Sequence, residues 1–335
     1  MPSTDLPDDH DPLRRIPPTD SDHLDYVGQQ GLAVEQDTLI EPDPAKREAA
    51  RSLWGDAWRD LRRRPIFIIS ALLIVLLLLM AIWPGLFTDT NPRQADLAKN
   101  YLREPDWADV FGAGWFGYDG QGRSIYARVI YGARASITVG ICVTLAVTLL
   151  GGLTGMVAGY FGGWTDAVIS RIIDIFFGIP LLLGALVLLN AFATRTVWSV
   201  VIALAVLGWT QLARVMRGSV LTVKQADYVV AGRALGAGTG RLMLRHILPN
   251  AVAPVIVVAT IALGGYITAE ATLSFLGIGL QDPTISWGVD ISSAQKVIRT
   301  APFALFFPAA ALSLTVLAFI MMGDAVRDAL DPKLR

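Results

Sequence analysis

With 53% hydrophobic residues, only 17% charged residues and a mean hydropathy of +0.49, this 335-residue chain reads as an integral membrane protein. A formal net charge of −1 hides an asymmetry. The first fifty residues hold twelve Asp or Glu against four Lys or Arg, a charge of −8, which leaves +7 on the remainder. Cys142 is the single cysteine and His10, His23 and His246 are scattered, which excludes a disulfide framework and a metal cage.

Residues 1–48 are acidic, rich in proline and without helical or alternating period, so a disordered cytoplasmic tail is expected, solvating rather than docking. From 49 to 65 the pattern changes. Leu53, Trp54, Ala57, Trp58 and Leu61 recur at i, i+3 and i+4 spacing, with Arg59, Arg62, Arg63 and Arg64 between or after them, as in an amphipathic interfacial helix.

A span needs roughly 17 to 25 apolar residues to cross about 30 Å of hydrocarbon. Six runs qualify, near 66–87, 136–160, 167–191, 197–216, 252–276 and 303–323, forming a six-span membrane domain over 66–323 followed by a C-terminal tail at 324–335. The first is the plainest, since Ser70 is the only polar residue between Ile66 and Ile82. Arginines just before it hold the N-terminus in the cytoplasm, and an even span count puts the C-terminus there too. The segment 91–134 then lies outside, with Trp107, Trp115, Phe116 and Tyr118 among acids and glycines.

Within the spans, Gly151, Gly155 and Gly159 make a small-residue ridge suited to close helix packing. Arg171 and Asp174 are three residues apart on one face and are expected to neutralise each other. Pro180 is expected to kink the third span. Glu270 is an ionisable group in the fifth span, which is costly unless it meets water or a partner; it either borders a translocation path or pairs with a neighbouring span.

The loop 217–250 is polar, and by topology cytoplasmic. Residues 227–236 (DYVVAGRALG) keep a slim surface of alanine and glycine, Gly236 and Gly238 permit turns at positive φ, and Pro249 closes whatever helix precedes it. A partner protein could approach such a backbone closely. Phosphate-cradling G-x-x-x-x-G-K-[ST], G-x-S-x-G and H-E-x-x-H are all missing from the chain, so an active transporter built from it draws its energy from another subunit.

This loop resembles the EAA signature of binding-protein-dependent ABC transporter permeases. The matching positions are Val230, Ala231 and Gly232, then Gly236, then Leu248 and Pro249. Further matches to the peptide-importer branch are 54–62 (WGDAWRDLR), 118–124 (YDGQGRS), 131–136 (YGARAS), 159–164 (GYFGGW), 269–279 (AEATLSFLGIG), 286–288 (SWG) and 323–332 (GDAVRDALDP). Coverage runs from about residue 52 to 335, and the combination is similar to the C-type permease of dipeptide and oligopeptide importers. Departures are Val230 where the signature has Glu, Gly232 where it has its second Ala, and His246 at a distal Ile position.

The resemblance implies an all-α membrane protein of the type I importer permease fold, with six spans and a cytoplasmic coupling helix. It implies a bacterial plasma-membrane location and a heterodimer with a B-type permease. Two cytoplasmic ATPases, an extracytoplasmic solute-binding protein and the lipid bilayer complete the surroundings, with no nucleic acid. ATP and Mg would sit on the ATPases, with no cofactor on this chain and no covalent chemistry in it. Coupling is assigned to Asp227, Val230, Ala231, Gly232, Arg233, Ala234, Leu235, Gly236, His246, Leu248 and Pro249. Val229, Val230, Ala231, Ala234 and Leu235 form the expected contact face, with Asp227 as N-cap or first-turn residue. The expected cargo is a dipeptide or oligopeptide, with glutathione or a nickel chelate as alternatives within the same branch. An ion-coupled secondary transporter would instead show inverted repeats with paired broken helices, and a membrane scaffold would have no transport path.

Overall fold

The computed structural model describes residues 58–59 and 61–330. The acidic tail, most of the interfacial stretch at 49–65 and the last five residues lie outside the described residues. Helix α1 spans Pro65–Ile82, α2 Ile125–Phe161, α3 Gly163–Phe177, α4 Leu181–Asn190, α5 Val197–Val223, α6 Asp227–Ala234, α7 Leu248–Phe275, α8 Trp287–Ala294 and α9 Phe303–Leu330. Among the described residues the only extended pairing is an isolated bridge between Tyr118 and Ser124.

Five helical stretches are long and apolar enough to cross a membrane, and α3 with α4 makes a sixth crossing if the bent pair counts as one. The continuous span expected over 167–191 is instead broken, with an 84° bend between α3 and α4. Pro180 sits at the break, in extended conformation as N-cap of α4; its ring cannot continue the helix of the preceding turn. Four helices outrun their apolar cores: α2 begins at 125 rather than 136, α5 continues to 223, α7 begins at 248, and α9 runs on to 330. Hydropathy marks the part of a helix in lipid, whereas the hydrogen-bonded spiral continues until a cap stops it. For α2 that cap is Ser124, which accepts from the Ala127 N–H.

α2 and α5 form the most extensive helix pair. The glycine ridge is the reason. A Cβ placed on Gly155 would lie 2.3 Å from the Ala213 carbonyl oxygen, so only a bare backbone permits the observed approach. The ridge is therefore occupied by α5 of the same chain. Below it, Arg217 on α5 makes a two-pronged pair with Asp166 on α3, at 2.5 and 2.7 Å. The expected Arg171–Asp174 pair does not form: Asp174 binds Arg214 of α5 at 2.9 Å, and that guanidinium also stacks 3.9 Å from the Phe177 ring. Spacing along α3 identified the charges, but α5 supplies a nearer partner.

A second core joins α1, α2, α7 and α9 through Leu77, Met80, Ile137, Ile267, Ala318 and Phe319, with Trp287 inserted. Arg134 donates to the Ala81 and Ile82 carbonyls, both at 3.0 Å, closing the C-terminal end of α1 where cations are favoured. The outward side chains of α1, such as Ile69, Leu72 and Val75, are exposed as a lipid-facing surface requires.

Candidate functional site

α5 leaves the bundle at Val223, and after Lys224 and Gln225 the chain turns into α6. Lys224 anchors the exit, donating to the Gly159 and Tyr160 carbonyls at 3.0 and 3.1 Å at the end of α2. Asp227 occupies the first turn of α6 and Arg233 the last, each on the side that complements the helix dipole. Ala226, rather than Asp227, is the N-cap residue.

The end of α6 is a Schellman motif. Ala237 N–H reaches the Gly232 carbonyl, and Gly236 N–H the Arg233 carbonyl, both at 3.0 Å. This geometry requires a left-handed residue at Gly236, whose φ is +81°, whereas Gly238 has φ −66°. From there a short helical turn leads into i→i+5 turns over Leu242–Ile247. Pro249 has no N–H to give the turn before it, and the Asn250 side-chain amide donates to the His246 carbonyl at 2.7 Å.

The two sides of α6 differ sharply. Val229 is fully buried, in the same core as Leu242, Ile247 and Ala251. Gly232 faces that core too: a Cβ there would stand 3.3 Å from Leu242 Cδ2. Opposite them Tyr228, Val230 and Leu235 are exposed, Leu235 by 88%, with Ala231, Arg233 and Ala234 beside them. Val229 therefore does not belong to the contact face expected from sequence, because it holds α6 to its own protein. Tyr228 does belong to that outer face, and its hydropathy is too ordinary to have marked it. His246 and Leu248 are half-buried where the loop rejoins α7, and Pro249 is exposed.

Glu270 lies away from α6 and is completely buried. Ser136 of α2 and Ser274 of α7 donate to its carboxylate at 2.9 and 2.8 Å. Ser136 also accepts from the Trp287 N–H at 3.4 Å, and Ser274 from the Leu280 N–H at 2.9 Å. All of these partners belong to the same chain. The carboxylate pins α2, α7 and the start of α8 together.

A third polar cluster lies at the start of α2. Since α2 runs 37 residues, about 55 Å at 1.5 Å per residue, and its C-terminal end is the one beside α6, this cluster occupies the other end of the bundle. Arg128 Nε donates to Asp290 Oδ1 of α8 at 2.8 Å, and Arg123 pairs with Asp119 at 2.7 Å. Burial pushes the Asp290 carboxyl above the usual carboxylate range, with Arg128 opposing. Sequence reading passed over both residues, although each follows a serine helix cap by four positions, Ser124 and Ser286.

Residues 151–335 match the family described as the binding-protein-dependent transport system inner membrane component, and residues 52–105 match the N-terminal membrane domain of oligopeptide transport permease C. The chain is 35% identical over 294 residues to a dipeptide transport system permease of Alkalihalophilus pseudofirmus, covering 88% of this chain and 94% of that one. It is 38% identical to an oligopeptide transport system permease of Bacillus subtilis, covering 85% and 91%. A glutathione transport system permease of Pectobacterium atrosepticum is 35% identical, with 86% and 94% covered. A solved amino acid ABC transporter aligns with a TM-score of 0.46 at 19% identity, over 59% of this chain and 91% of that one.

Proposed function

Because the chain belongs to the inner-membrane permeases of binding-protein-dependent ABC transport systems, we propose that it forms half of a pathway for dipeptides or oligopeptides, paired with a B-type permease. Two ATPases dock on its cytoplasmic side, and a solute-binding protein delivers cargo on the other. The observation that carries this reading is the division of α6 into an inner face held by Val229 and Gly232 and an outer apolar face of Tyr228, Val230 and Leu235. An outer face of that kind suits a protein cleft. Closure of the ATPases on ATP would pull α6, and Lys224, Arg217 and Arg214 would carry the pull into α2 and α3.

Carboxylates able to relay protons through the bundle are scarce in this reading, since Glu270 is tied to two serines and ATP supplies the energy. N- and C-termini are cytoplasmic, and the membrane is the bacterial plasma membrane. The test is reconstitution with the partner permease, ATPases and binding protein, followed by uptake of labelled dipeptides, longer peptides, glutathione and a nickel chelate. ATP-dependent peptide accumulation is expected. Accumulation that follows an imposed ion gradient without ATP would reverse the assignment in favour of a secondary transporter.

A further inference from the structure

Residues 106–114 fold into a closed loop beside the start of α2. Asp106 N–H donates to the Gly114 carbonyl and shuts the loop, while Tyr118 N–H holds its base by donating to the Arg103 carbonyl, both at 2.9 Å. Its acids are engaged with its own backbone: Asp106 accepts from the Ala108 N–H at 3.1 Å and Asp109 from the Gly114 N–H at 2.9 Å. Its apolar side chains face out. Trp107 is 66% exposed and Phe111 63%, with Val110 exposed between them. Three large apolar groups presented by nine residues form a patch that calls for a partner.

The backbone adds a second observation. Phe111 has φ +63°, in the left-handed region that a bulky residue adopts only under strain, whereas glycine would occupy the position freely. Its ring meets Trp115, 4.8 Å between centroids, and is otherwise turned out. A strained position that carries an exposed phenyl ring points to a contact outside the chain.

What the patch meets follows from its level along the bundle. Leu61 and Phe67 pack with Ala325 and Ala329, and Leu77 and Met80 lie in the cluster that holds Ala311 and Ala318, so α1 and α9 run antiparallel. The end of α1 therefore lies beside the start of α9, and there Trp83, Leu86 and Phe306 are all exposed. Loop 106–114 joins this group. Trp107 lies 6.4 Å from the Phe307 ring, Phe116 stacks on the same ring at 4.0 Å, and Phe307 is 5.5 Å from Phe306. The loop's apolar face is thus continuous with the lipid-facing ends of two spans, the depth at which aromatic side chains collect in a bilayer. Within 103–114 the charges are Arg103 against Glu104, Asp106 and Asp109, so no basic cluster draws the loop to anionic headgroups and the contact is apolar. We infer that loop 106–114 is a membrane anchor, seating Trp107, Val110 and Phe111 in the headgroup–acyl boundary of the bilayer beside α9.

The test reconstitutes the full chain with its partner permease and ATPases in phosphatidylcholine nanodiscs, carrying a nitroxide on Val110→Cys in a Cys142→Ser background. Electron paramagnetic resonance compares collision with oxygen, which concentrates in hydrocarbon, against collision with a water-soluble nickel complex. Oxygen should be favoured several-fold at Val110 relative to a nitroxide on Gln121→Cys, exposed on the polar 119–123 turn, and added salt should leave the ratio unchanged. Phe111→Gly and Trp107→Ser should each move the Val110 label several-fold toward nickel and leave the Gln121 label alone. Phe111→Gly removes strain along with the ring, so a shift there is not a failure to fold.

Equal ratios at the two labels, or a Val110 ratio unmoved by both substitutions, overturns the anchor. Protection from both reagents in the assembled complex would give the patch to the partner permease, and protection that appears only on adding the solute-binding protein would give it to that protein. Either result also overturns the proposal.

Discussion

Val229 and Val230 are neighbours in sequence and face opposite ways on α6, the first wholly buried against Leu242 and Ile247, the second 53% exposed. One residue thus fastens the helix to its own bundle while the next faces outward. Two substitutions of the same kind should therefore have different consequences.

Val230→Asp and Leu235→Asp should leave the melting midpoint nearly unchanged, within about 0.5 kcal/mol, as expected for exposed sites. Both should lower ATPase co-purification at least tenfold. Val229→Asp should instead destabilise the permease by about 3 kcal/mol or more by burying an unpaired charge. Thermal-shift fluorescence and pull-down separate the two effects, and full ATPase retention by Leu235→Asp would remove α6 from the interface.

Gly236→Val should act through the backbone alone. Apart from the adjoining residues no atom lies within 4 Å of the added Cβ, but φ is +81°, so the strain is of order 1 to 3 kcal/mol and falls on the Schellman turn. Normal membrane insertion with weak ATPase binding and little uptake is expected. Gly238→Ala, at ordinary φ, should be mild. Wild-type uptake by Gly236→Val would show that the turn's shape is unimportant for coupling.

The glycine ridge makes a paired test. Gly155→Ala puts a methyl group 2.3 Å from the Ala213 carbonyl and should cost about 1 to 3 kcal/mol by forcing α2 and α5 apart, whereas Gly152→Ala meets only Met216 Cε at 3.8 Å. Yield and melting temperature in detergent should fall for the first and hold for the second. Equal behaviour would mean that α2 and α5 are less tightly paired than described.

Glu270→Ala should cost about 2 to 4 kcal/mol, from lost serine hydrogen bonds and the space left behind. Glu270→Gln keeps one acceptor oxygen and should cost roughly half as much on the same reasoning. Uptake should track stability in both. A stable Glu270→Gln protein with abolished uptake would return this residue to the pathway.

Orientation can be read by labelling. A cysteine at Thr239, in the exposed stretch after α6, should react with an impermeant maleimide only in inverted vesicles, and one at Gln121, at the opposite end of the bundle, only in intact cells. The reverse pattern would place α6 outside and exclude its coupling role.

The apolar segments and the Gly236 turn were legible in sequence because both depend on local chemistry: an uninterrupted hydrocarbon run, and a residue without Cβ where φ must be positive. Four things were not legible. Asp174 chose Arg214, forty residues away, over Arg171 on its own helix. The split of α6 into inner and outer faces depends on where Leu242 and Ile247 return in space. Asp290 meets Arg128 across 162 residues. Helix ends beyond the lipid, as at the start of α2, are set by caps such as Ser124 that hydropathy does not register. In the first three cases the deciding partner is distant in sequence, and no local period encodes it.

α2 is about twice as long as the hydrocarbon core is thick, by rise per residue, and it is clamped at both ends. Arg128 and Trp287 hold its first turns, while the glycine ridge and Lys224 hold its last. A clamped rod of this length behaves as a lever: tilting it by about 5° swings one end by roughly 5 Å relative to the other, taking its length from the helical rise. A small displacement at the α6 end would thus reach the Arg128–Asp290 cluster at the other end of the bundle with little loss.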